Sequence, residues 1–304
     1  MALCLSVWAP ASNATSLGHC QDAPEPSAAV QDRLIQVAAL VKAELERSGH
    51  PLAVVARSGQ ALDWLGHRYS HAGLALRDSP RAPWAVRQLY FACDELRPRV
   101  FDQGMSGFVL GVHDAAEGHV SLLMLPADAS ESLAQAALSD DRALAVLGRT
   151  YSANAFAFSQ RYQNCNQWLA ELMATAWAPA DPEVGPTNTP TPDVAHHRSR
   201  AQQWLHRQGY SPSTMTVNGP LKWLATLMPW LHTDDHPPDD VATGRFRVSM
   251  PADIEQFVQA QWPASTRVEL CHTDRHAVIR RGGEPMAPGC QPQAGDEVFV
   301  LSGP

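Results

Sequence analysis

Charge is scarce in this 304-residue chain. Only 18% of its residues are Asp, Glu, Lys or Arg, against 45% hydrophobic. That balance excludes a disordered chain and allows one large or two modest domains with a sizeable core. Lys and Arg form no cluster and the net charge is −8, which argues against nucleic acid or an anionic membrane surface as partner. No run of about 18 apolar residues occurs, so no helix is expected to span a bilayer. A phosphate-cradling or dinucleotide-binding loop is also missing. The run Gly104-Met105-Ser106-Gly107-Phe108-Val109-Leu110-Gly111 lacks the strand-to-helix context such a loop needs. Three histidine-bearing groups have ligand types at usable spacing: His232 to His236 with Asp234 and Asp235, Cys271-His272 with His276, and His196-His197. None has the four-ligand spacing of structural zinc, so neither a metal nor any other cofactor is expected.

Proline, by contrast, is plentiful, with 24 in the chain and many gathered between positions 179 and 238. The expected organisation is a leader-like segment over 1–16, a core over 17–178, a Pro-rich linker over 179–195 and a helical and strand region over 196–304. Residues 1–9 are apolar and 10–16 small and polar, like the second half of a secretory signal with cleavage after Ala14, though no basic n-region precedes them. The alternative is a mature N-terminal strand. A truncated signal places the protein in the periplasm or outside the cell.

Apolar periodicity predicts helices over 26–47, 130–138, 140–147, 165–177, 195–209, 220–231 and 252–261. Strands are predicted over 52–57, 68–77, 84–92, 119–125, 245–249, 267–271, 277–281 and 297–301, with 68–77 and 84–92 forming a hairpin. Residues 99–108 read as irregular and 232–240 as an acidic, Pro-rich loop.

The stretch Tyr162-Gln163-Asn164-Cys165-Asn166-Gln167-Trp168 carries the chemistry. Cys165 falls in the first turn of a helix with Asn164 as its N-cap, where the helix dipole favours thiolate over thiol. A small core residue is the other reading, since most free cysteines are that. A thiol nucleophile needs a base, and His71 lies in a predicted core strand where Gly73 and neighbouring alanines leave room for its ring. A core histidine bonded to backbone is the commoner outcome for a lone strand histidine.

Ser70-His71-Ala72-Gly73-Leu74, followed by the Cys165 stretch, resembles the two halves of the permuted NlpC-like, papain-like cysteine hydrolases, in which the histidine strand precedes the cysteine helix. Leu17-Gly18-His19-Cys20, Gln88 to Glu95 and Phe101-Asp102-Gln103-Gly104 together resemble the uncharacterised bacterial family called domain of unknown function 2145. The resemblance covers about residues 17–180. It implies an α+β, papain-like antiparallel sheet packed on helices, with a C-terminal α/β extension, and export from the cytoplasm. It also implies thiolate chemistry on an amide or ester, expected to be an amide bond of cell-wall peptides. Alternatives are a lipid esterase or acyltransferase, a silent binding module on the same scaffold, or a structural protein of the envelope. Gln88 is the best-placed third polar group, with Asp94 and Glu95 behind it. Tyr162 and the Cys165 N–H are candidate oxyanion donors. Discarding Cys4 with the signal leaves five cysteines, so one is unpaired. The expected bridges are Cys20–Cys93 and Cys271–Cys290, with Cys165 free and other connectivities left open.

Overall fold

A computed structural model of the chain describes residues 26–179, 194–217, 219 and 228–302. The leader-like segment, Cys4, Cys20, most of the Pro-rich stretch and most of the predicted 220–231 helix lie outside the described residues.

Helix α1 (Ala28–Ser48) starts where the Ser27 hydroxyl accepts from the Val30 N–H, and ends at Gly49 in the left-handed region. Its Leu34, Val37, Val41 and Leu45 stripe is buried, as the spacing predicts. The chain continues through β1 (Leu52–Arg57), β2 (His71–Leu76), β3 (Ala85–Ala92), β4 (Arg97–Gln103), α2 (Met105–Leu110) and β5 (Gly118–Met124). Helices α3 (Ala127–Leu138), α4 (Asp140–Ala145), α5 (Cys165–Trp177) and α6 (Val194–Arg207) follow. The remainder comprises β6 (Ser213–Thr216), α7 (Pro238–Thr243), β7 (Arg245–Val248), α8 (Pro251–Gln261), β8 (Thr266–His272), β9 (His276–Arg281) and β10 (Glu297–Val300).

Eight strands form one antiparallel sheet in the order β10-β9-β8-β5-β1-β2-β3-β4, and β6 and β7 pair separately. The fold is thus α+β, as expected. The sheet is covered on both faces. Leu52, Val54, Leu74, Leu76 and Leu89 pack with α3, α5, α6 and α8, while Ala53, Val55, Ala75 and Val86 pack with α1 and α2. This is the period-2 alternation of a strand whose two sides are both dry, and it explains why β1 and β2 read as nearly continuous apolar runs. The region after the Pro-rich stretch joins the same body, since β8 pairs with β5 and helices α6 and α8 complete the first core.

Residues 99–108 are not irregular. They hold most of β4 and the start of α2. β4 is the sheet edge, so Arg97 and Arg99 stand in solvent and blur its apolar alternation; the six-residue α2 is too short to show a helical period. The acidic, Pro-rich loop likewise contains the start of α7, a helix with Pro238 in its first turn.

Candidate active site

The seam between β2 and β3 organises the site. These strands pair only at Leu74↔Arg87, Ala75↔Val86 and Leu76↔Ala85, although β2 begins at His71. Gly73 stands at the crotch, where a Cβ would come within 2.7 Å of Val86 Cγ1 and 2.9 Å of the Arg87 carbonyl oxygen. Nearer the start of β2 the ladder is open, and the N-terminus of α5 fills the gap. The Asn166 side chain substitutes for a neighbouring strand: its Oδ1 accepts from the Ala72 N–H (3.1 Å), and its Nδ2 donates to the Ser70 and Ser249 carbonyls (3.2 and 3.1 Å).

Asn164 caps α5 as its position predicts, with Oδ1 accepting from the Gln167 N–H at 2.7 Å. Its Nδ2 donates to the Ala153 and Ser249 carbonyls, so both asparagines flanking the cysteine hold the helix start in place. Cys165 is the free cysteine among the described residues and is buried. Burial pushes its thiol up to about 11, while the N–H groups of Asn166, Cys165 itself and Ala72, with the Arg57 charge, favour the thiolate. Desolvation wins over the helix start, so the group rests as a thiol at neutral pH. Trp168 lies in the core with its indole N–H on the Ala143 carbonyl at 3.1 Å.

His71 is buried, with Nε2 2.5 Å from Gln88 Oε1. Gln88 in turn donates from Nε2 to Gln103 Oε1 at 2.7 Å, which orients its amide. Gln88 Oε1 can only accept, so Nε2 of His71 carries the proton and Nδ1 is the basic nitrogen. Strand alternation puts the Ala72 side chain toward α5 and the His71 ring on the other side, 6.1 Å from Phe108 and 6.3 Å from Tyr90 between centroids. At the open end of the seam the Ala72 N–H is turned toward the Cys165 sulfur. Arg57, the β1 partner of His71, lies over the Phe108 ring, 4.7 Å from its centroid.

Other expected residues are engaged elsewhere. The Tyr162 hydroxyl bonds Asp234 and its ring stacks on His232 at 4.2 Å, which commits it to the loop after the Pro-rich stretch. Asp94 is exposed, and Glu95 pairs with Arg97 and Arg99 at the β3–β4 turn. His236 Nε2 lies 2.7 Å from the Asn154 carbonyl oxygen, and Asp235 accepts from the Phe156 N–H, so the 232–236 run braces the approach to α5. Cys271 and Cys290 form the expected disulfide. Cys93 is also disulfide-bonded, and its expected partner Cys20 lies outside the described residues.

A buried ion pair escaped sequence reading. Glu171 of α5 takes Arg198 Nε at 2.8 Å and Nη2 at 3.1 Å, with Gln163, Gln167 and Gln202 donating to the same carboxylate. Arg198 also donates to the carbonyls of Ser159, Gln160 and Tyr162, which fixes the loop entering the cysteine helix. Glu171 has no lysine or arginine three or four residues away, and its partner comes from beyond the Pro-rich stretch.

These features define a two-faced antiparallel α+β protein with a buried cysteine at a helix start, set against a sheet seam whose open end carries a glutamine-held histidine. The sequence profile of the bacterial family described as "Uncharacterized protein conserved in bacteria (DUF2145)" matches residues 44–258, and the chain belongs to that family. No curated protein and no solved structure matches it.

Proposed function

We propose that the protein is an exported cysteine hydrolase of permuted papain-like order, acting on an amide bond of a cell-wall peptide. The observation that carries this reading is the His71–Gln88–Gln103 relay, which leaves the basic imidazole nitrogen on the residue next to the Ala72 N–H that faces the Cys165 sulfur. In the proposed reaction the thiol stays protonated until substrate binds. His71 Nδ1 then takes the proton as sulfur attacks the carbonyl carbon, and the Cys165 N–H receives the developing oxyanion. The imidazolium returns the proton to the leaving amine, and water releases the acyl group from the thioester. The Cys271–Cys290 bridge and the disulfide-bonded Cys93 support an oxidising compartment.

The test is hydrolysis of a panel of cell-wall peptides by the wild type, Cys165→Ala and His71→Ala. Both variants should be inactive while keeping the wild-type circular dichroism spectrum. Undiminished turnover by Cys165→Ala would overturn the reading. The burial that raises the thiol favours a second reading, a binding module on the same scaffold. It predicts peptide binding without turnover in all three proteins.

A further inference from the structure

A second group of reactive side chains sits on β5 and β8, across β1 from the strand that carries His71. His119 on β5 is the direct register partner of Cys271 on β8, and Cys271 is bonded to Cys290 with a Cα–Cα distance of 5.4 Å. His119 Nε2 lies 3.5 Å from Cys271 Sγ and 3.4 Å from Glu117 Oε1. Ligand-type atoms of Glu117, His119, Cys271 and Cys290 all fall within 4.8 Å of one another. Metal-to-ligand distances of about 2.0–2.3 Å place tetrahedral zinc ligands about 3.3–3.8 Å apart, which the two His119 distances match. The outer positions are also furnished. The Gly289 N–H holds Glu117 Oε1 at 2.9 Å, and Glu269 Oε1 lies 3.9 Å from His119 Nδ1. That nitrogen is buried without a hydrogen-bond partner among the described residues, on a ring only 6% exposed whose other nitrogen points into the cluster. Glu117 is the most exposed of the four and opens a path from solvent.

We propose that reducing the Cys271–Cys290 bridge turns this corner into a zinc site of two thiolates, the His119 imidazole and the Glu117 carboxylate. A dithiol reductant supplies two electrons and two protons to the S–S bond, yielding two thiols and the reductant's own disulfide. Zinc then displaces one proton from each thiol, and the sulfurs separate to ligand spacing. Glu269 Oε1, held in place by Tyr69 and Arg68, faces His119 Nδ1 from 3.9 Å as the outer carboxylate of a carboxylate–histidine–metal arrangement. The cluster would exchange a covalent clamp for a coordinate one, and the assignment does not depend on what Cys165 does.

The full chain, with and without phosphine reduction, is loaded with zinc chloride and gel-filtered, and a parallel sample is loaded with cobalt(II). The reduced wild type should retain one equivalent more zinc than the oxidised protein and give the ligand-field and thiolate charge-transfer bands of tetrahedral cobalt. Cys271→Ser and Cys290→Ser should lose those bands, and His119→Ala should bind about tenfold or more weakly. Equal zinc retention by oxidised and reduced protein, or thiolate–cobalt bands persisting in Cys271→Ser, would overturn the assignment. If reduction loosens the fold, zinc should restore the near-UV circular dichroism of the wild type and not of Cys271→Ser. Failure to restore it in the wild type would equally overturn the assignment.

Discussion

Replacing Arg198 with Met gives the sharpest test of how the cysteine helix is held. Both members of the Glu171–Arg198 pair are almost wholly buried, at 0% and 2% side-chain exposure. Removing one partner of such a pair costs about 3–5 kcal/mol, because the other is left as an uncompensated buried charge. Arg198 supplies two of the hydrogen bonds to the carboxylate, and three glutamines supply the rest. The carboxylate therefore keeps most of its donors and loses its counter-charge, which puts the expected loss at the low end, about 3 kcal/mol. Burial already raises the Glu171 pKa, and the Arg198 charge opposes that rise. Without the arginine the folded pKa climbs further, so the variant should be closest to wild type at acid pH and lose stability as pH rises. Urea unfolding at several pH values measures this. Adding Glu171→Gln should recover part of the loss and flatten its pH dependence. A deficit below about 1 kcal/mol, or one equal at every pH, would refute the reasoning.

Four other outcomes are expected. The Cys165 thiol, pushed up to about 11, should show its thiolate absorbance only at alkaline pH in the difference between wild type and Cys165→Ser; a thiolate already present near neutrality would contradict the resting thiol. Because that pKa is raised on folding, the stability it contributes is intact below the ordinary cysteine range. It should be lost as pH climbs toward about 11, by about 3 kcal/mol relative to Cys165→Ala in denaturant titrations. Gln88→Ala should cut peptide hydrolysis about 100-fold, because the His71 ring loses the acceptor that fixes its tautomer; unchanged turnover would remove Gln88 from the site. Gly73→Ala should lower unfolding stability by about 1–3 kcal/mol, since the new methyl meets the Arg87 backbone; a neutral result would mean the seam can widen.

What could be read in advance follows the range of the interaction. The α1 stripe, the β2–β3 hairpin and the Asn164 cap are local patterns, and the structure has them. Gln88 could be reached because it sits on the strand adjacent to His71, where neighbours on one face meet. Asn166 could not. Its role is to complete a strand 94 residues away, and nothing in its own turn signals that. Arg198 and Gln103 were missed for the same reason, being single polar residues whose partners are defined only by the assembled core. Tyr162 is the converse case. One helical turn from the sulfur in sequence, it is claimed by Asp234 and His232 from the loop after the Pro-rich stretch.

The incomplete β2–β3 ladder also bears on when the thiol acquires its surroundings. Contacts closing so long a loop form late, after the local hairpin and helices. A chain still emerging from the ribosome would carry Cys165 as an ordinary solvated thiol, open to oxidation or mispairing with other cysteines. Docking of the Asn166 clamp would bury it, making correct assembly its own protection.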